Sequence, residues 1–140
     1  MTHEIVARKI AAIFARTARV RELLPADVEA FLERRTEAEA LLLNLFLALQ
    51  ECTDLALRLV ADRGLGVPGD ARSAFDLLAR AGLVDAPLAR KVAAAIGPRN
   101  RIAHEYAGLD LRRVYASARD DLPDLDAFAA AAAALLPQEE

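Results

Sequence analysis

The sequence predicts an all-α fold, a helical bundle, and three observations carry that expectation. Hydrophobic residues make up 55% of the chain but aromatics only 5%, and the dominant Ala, Leu and Arg are strong helix formers. Apolar residues recur three and four apart, as one helix face requires. No stretch keeps the strict apolar–polar alternation of a half-buried strand. The 140 residues suit one domain, taken as 1–140. Their apolar content exceeds what a minimal domain needs, so part of the surface is expected to be covered by a second chain.

The elements follow in order. His3 to Leu24 reads as a helix, with Ile5, Ile10, Ile13, Val20 and Leu24 on its apolar stripe and Arg8, Lys9, Arg16 and Arg19 outside it. Pro25 stops that helix and is expected to open a short one containing Val28, Phe31 and Leu32. Thr36 to Asp62 is the longest element. Its centre, ALLLNLFLALQ, is apolar almost all round, as in a helix buried on several sides or lying at an oligomer interface. Gln50 and Asp54 share one face of it. Asp54 and Arg58 have the spacing of an intrahelical ion pair, and the alternative is that Gln50 or Asp54 borders a polar cleft.

DRGLGVPGD, Asp62 to Asp70, is a loop by its Gly and Pro content. A short helix, Ala71 to Ala81, ends at Gly82. Asp85 caps the next, with Pro87 tolerated in its first turn and Leu88, Val92, Ala95 and Ile96 as its stripe. Gly97-Pro98 breaks the pattern, and Ala107-Gly108 breaks it again. Asp110 to Asp121 reads as helix, and Leu122-Pro123-Asp124 is expected to restart a last helix reaching Leu136.

Composition excludes several classes of function. The single cysteine, Cys52, permits no internal disulfide and suits a reducing cytoplasm. Lying in an apolar helical run, it reads as a small core residue. With one Cys and two His no zinc site is expected. There is no P-loop and no serine in a nucleophile elbow, so no cofactor is called for. The longest apolar run, Phe128 to Leu136, falls short of the roughly 20 residues a bilayer requires, so neither a membrane span nor a membrane partner is expected. The N-terminus lacks the pattern of a signal peptide. Net charge is −3 with a pI near 5.5, which argues against DNA as a partner. The distribution is uneven. From Leu88 to Arg119 seven basic residues face two acidic ones, whereas Asp120 to Glu140 holds six acids and no base. That basic stretch is either ordinary solvated helix surface or a local site for phosphates.

Within it lies RNRIAHEY, Arg99 to Tyr106, with one of the two histidines. Histidine moves protons near neutral pH, and arginine offers a fixed positive fork to phosphate oxygens or a charged phosphorane. Together they suffice for metal-independent RNA cleavage, in which the substrate's own 2′-hydroxyl attacks the adjacent phosphate. The bland reading is helix-surface ion pairing with a half-buried Tyr106. On one continuous helix Asn100, Arg101 and His104 share a face, while Arg99 points about 140° from His104. Two copies facing across a two-fold axis would gather both arginines and both histidines in one composite cleft.

These residues resemble the signature of HepT-type toxins in the HEPN superfamily, where Arg-Asn opens the motif and His-x-Tyr closes it. The resemblance continues from Ala74 to Leu125: helix, acidic cap, helix, motif, a Leu-Asp turn into a helix, then Asp-Leu-Pro. Pro98 departs from the aromatic residue that members commonly carry there. The resemblance implies a HEPN-like helical homodimer with a composite cleft. It implies a metal-independent endoribonuclease that acts as the toxin of a type VII-like toxin–antitoxin system on tRNA or mRNA. Arg99 and His104 would be catalytic, with Asn100 and Arg101 supporting. The implied partner is an MNT-type nucleotidyltransferase antitoxin, which neutralises the toxin by transferring AMP to Tyr106. A catalytically silent HEPN module that binds a nucleotide or partner, and a plain helical dimerisation protein, are the alternatives.

Overall fold

Aspartates set where four of the helices begin. In the computed structural model, which describes residues 2–97 and 110–137, Asp27, Asp70, Asp85 and Asp110 each accept hydrogen bonds from backbone N–H groups of the first turn that follows. Those donors have no partner inside the helix, and a cap of this kind contributes about 1 kcal/mol. The helices are α1 (Thr2–Leu23), α2 (Val28–Glu33), α3 (Arg35–Asp62), α4 (Ala71–Arg80), α5 (Ala86–Ile96) and α6 (Leu111–Ala134). No strand occurs among the described residues, so the all-α expectation holds.

α2 is opened by Asp27, whose Oδ1 accepts from the Ala30 N–H at 2.9 Å, and not by Pro25. The Pro25 carbonyl instead accepts from the Tyr115 hydroxyl at 2.9 Å, tying the α1–α2 turn to α6. Gly82 ends α4 as expected. Its φ of +75° suits a residue without a Cβ, and beyond it the Leu83 N–H returns to the Leu78 carbonyl at 3.0 Å.

The expected break in the last helix is absent. α6 runs unbroken through Pro123. Proline removes one N–H and crowds the carbonyl four residues back, a cost of about 3 kcal/mol in a helix interior. Here Pro123 and Arg119 lie on the solvent side, where water can serve the freed carbonyl. On the opposite side Ala118, Leu122, Leu125, Phe128 and Ala129 are all buried. Burial of that continuous stripe outweighs the local preference for a stop.

α3 is the axis of the fold and packs against each of the other described helices, most extensively α1. That accounts for its nearly all-round apolar sequence. It is also long and apolar enough by length and composition to cross a bilayer, which corrects the expectation that no segment would be. More than half of its most apolar stretch is buried against the other helices, as in a core helix. α4 and α5 form a helical hairpin. It packs through α4 on α3 and through α5 on α6. Phe75 of α4 meets Phe128 of α6 edge-to-face, with ring centroids 5.0 Å apart.

Candidate functional site

The candidate motif joins two packed helices. α5 closes at Gly97, whose N–H reaches the Ala93 carbonyl at 3.2 Å. α6 opens at Asp110, whose Oδ1 accepts from the N–H groups of Arg112 and Arg113 at 3.1 and 3.4 Å. Arg99, Asn100, Arg101, His104 and Tyr106 lie between, in 98–109, outside the described residues. α5 and α6 contact each other, so both ends of that stretch start from one part of the bundle.

The described cations of the basic stretch divide into two groups. Arg112 pairs with Glu29 of α2 at 3.0 Å. Arg119 pairs with Asp120 at 3.2 Å and stands 6.0 Å from the centroid of the Tyr115 ring. Both are committed to the fold. Arg90, Lys91 and Arg113 are exposed, and none forms an ion pair among the described residues. The cationic surface available to a phosphate is therefore smaller than the sequence count implies.

The Asp54–Arg58 ion pair expected from spacing does not form. Asp54 accepts from Gln50 Nε2 at 3.3 Å and faces Lys9 of α1 at 3.8 Å, while Glu51 faces the same Lys9 at 3.7 Å. Arg58 turns to Asp62 at 3.5 Å. Burial decides this. Lys9 is mostly covered between α1 and α3, so two carboxylates around it balance a cation that has lost water. Gln50 and Asp54 nevertheless remain on the least covered side of α3. Around them Leu43 and Leu57 are 57% and 39% exposed, and Phe46 and Leu47 are half-buried. At 100° per residue these six side chains fall within about 100° of arc. Periodicity could not locate this face, because the helix is apolar in nearly every direction. The positions of the other described helices single it out.

Two further polar groups are structural. Asn44 is buried, accepts from Arg16 Nη1 at 3.0 Å and donates to the Ala40 carbonyl at 2.8 Å, so its hydrogen bonding is met. Thr17, 1% exposed, donates to Asp126 Oδ1 at 2.6 Å, and Arg21 holds the other carboxylate oxygen at 2.6 Å. This triad fastens α1 to α6. Cys52 is fully buried, as the sequence implied. Desolvation, then the charges of Glu51 and Asp126, push its thiol well above the ordinary range, so it is no nucleophile. Among the described residues no group of three or more His, Cys, Asp and Glu side chains could hold a metal ion.

The same fold and pattern occur in known proteins. The curated mRNA nuclease HepT of Shewanella oneidensis is 29% identical over 126 residues, which is 90% of this chain and 94% of that one. A solved structure of a tri-AMPylated S. oneidensis HEPN toxin in complex with an MNT antitoxin superposes with a TM-score of 0.83. It is 29% identical and the match covers 93% of this chain and 97% of that one. A cytosolic protein of unknown function from Bacillus subtilis, YutE, also superposes with a TM-score of 0.83 over 97% and 94% of the two chains. At 14% identity it shares the fold alone. The family model described as ribonuclease HepT-like matches residues 13–132. That span takes in every described helix from the middle of α1 onward and the whole of RNRIAHEY. The chain belongs to the HepT-like ribonuclease family, and endoribonuclease is its enzymatic class.

Proposed function

We propose that this protein is the toxin of a toxin–antitoxin pair and cleaves RNA without a metal ion. The observation that carries the reading is the family match across residues 13–132, within which Arg99, Asn100, Arg101, His104 and Tyr106 stand together. In the proposed step the 2′-hydroxyl oxygen of the RNA bonds to the adjacent phosphorus. The bond to the 5′-oxygen of the next nucleotide breaks. His104 moves the proton between the attacking and leaving oxygens. Arg99 balances the charge that builds on the phosphorane, with Asn100 and Arg101 supporting it. The products are a 2′,3′-cyclic phosphate and a free 5′-hydroxyl. Of the two substrate classes, tRNA and mRNA, the name of the S. oneidensis relative favours mRNA.

The rest of the reading concerns control. The antitoxin is a nucleotidyltransferase of the MNT kind, as in the complex of the similar toxin. The Tyr106 hydroxyl attacks the α-phosphate of ATP, pyrophosphate leaves, and AMP stays on the tyrosine. A bulky anion beside Arg99 and His104 then blocks RNA by occupancy and charge. The active form is a homodimer of 1–140, one domain per copy, in the cytoplasm. The second copy covers the Leu43–Leu57 face of α3 and completes the cleft.

The test is RNA cleavage by the purified protein in EDTA. The expected result is product with cyclic phosphate ends, and a loss of about 100-fold or more in His104→Ala. Equal cleavage by that variant would overturn the assignment of His104.

A further inference from the structure

The α4–α5 hairpin holds an open groove of about 490 Å³ between its helices. Much of its lining is alanine (Ala79, Ala86, Ala89 and Ala93), and Arg72, Asp76 and Arg90 are its charged members. The acidic groups at the groove are already engaged. Asp76 is held by Arg80 at 2.9 Å. Asp70 caps α4 by accepting from the Ser73 N–H at 2.8 Å. Arg72 is exposed and only assists that carboxylate through space, and Arg90 is exposed and makes no ion pair among the described residues. The result is two uncommitted guanidinium groups on one trough, in a chain whose net charge is −3. Arg90 lies six residues before Ile96, the end of α5 and the start of the approach to the motif. At 1.5 Å per residue that is about 9 Å along α5 to the helix end that leads into the motif, a length that a few nucleotides of single strand span.

We propose that the α4–α5 groove binds the phosphate backbone of single-stranded RNA next to the cleavage point, with Arg72 and Arg90 as its contacts. This rests on the ribonuclease reading above. Arginine forks grip phosphate oxygens in two-point fashion. A positive groove that tracks a backbone is how single strands are held without sequence preference. The trough is open and much of its lining is alanine, so it suits a passing backbone better than an enclosed base or free nucleotide.

The test measures binding of a 20-nucleotide single-stranded RNA by fluorescence anisotropy across a salt series, in His104→Ala protein so that the strand stays intact. The double variant Arg72→Glu/Arg90→Glu is expected to raise Kd about tenfold or more near 0.1 M salt. It should also flatten the slope of log K against log salt by about 1.4, the value for two lost phosphate contacts on a single strand. Arg72→Lys/Arg90→Lys, which keeps both charges, is expected to retain most of the affinity and the slope, so charge is separated from damage to the fold. Unchanged Kd and slope in the glutamate variant overturn the groove while leaving the ribonuclease reading intact. Loss of antitoxin binding with RNA binding unchanged assigns the groove to the antitoxin and also overturns the proposal. Absence of cleavage by the unmodified protein in EDTA removes both readings together.

Discussion

Asp121 sits half-buried on α6 with Asp120 and Asp124 as neighbours. Burial, then the repulsion of Asp124 and Asp120, raises its carboxyl from an ordinary 3.8 to about 6. The folded state therefore holds this proton more tightly than the unfolded chain does. Below about pH 4 both states are protonated and the group costs nothing. As pH rises from there to about 6 the unfolded chain ionises first and stability falls, and above that range the full cost remains. Asp121→Asn removes the ionisation. We expect it to raise stability at pH 7.5 by about 1 kcal/mol, after discounting the shift for the solvent that screens a half-exposed group. The advantage should vanish near pH 4. Thermal melts of both proteins followed by circular dichroism across that range check it, and a pH-independent difference would be inconsistent with the cause given. Asp126, five residues on, has partners in place of repulsive neighbours, since Thr17 and Arg21 each engage one of its oxygens.

At the scale of elements, α6 and α3 mark what the sequence could and could not disclose. The helix start at Asp85 was legible because a cap is a local device, written in one residue and its next three neighbours, whereas Asp70 read as loop and Asp110 as helix and the structure makes both caps. The continuity of α6 was not, because it depends on Leu122 and Leu125 meeting the same core from either side of Pro123. Proline thus costs α6 a hydrogen bond that nothing in the fold requires it to forgo. Pro123→Ala should stabilise the protein by about 1–2 kcal/mol, less than the full interior penalty because the freer unfolded chain takes some back. Urea unfolding at equal m-value measures this, and a destabilised variant would show that the ring itself packs usefully. The Asp54–Arg58 pair misled for a similar reason: helical spacing offers partners, and the neighbouring helix, through Lys9, selects among them. The candidate chemistry was legible differently, from residue types in RNRIAHEY, and its placement falls in 98–109, outside the described residues.

For the whole molecule, the decisive feature is that α3 touches every other described helix and still leaves one apolar side exposed. On that face Leu43, Phe46, Leu47 and Leu57 supply the apolar area that the core of an interface uses, and Asp54 among them has its charge met by Lys9. Leu43→Glu/Leu57→Glu should convert the proposed dimer to monomer at micromolar concentration in sedimentation velocity, with helix content retained. A dimer that survives both charges places the second copy elsewhere. Cleavage should fall in step with dissociation if the cleft is composite.

The tie between Thr17 and Asp126 joins residues 109 positions apart, and after α3 it is α6, far along the chain, that α1 packs against most. During translation, then, α1 emerges well before α6 and must wait for it before the seam between them can close. A nascent or truncated polypeptide ending before α6 would expose Ile13, Val20 and the buried side of α3. It could not present both anchors of the motif. For a protein read as toxic to the cell that makes it, this is a timing device: the chain becomes competent only once α6 has been made.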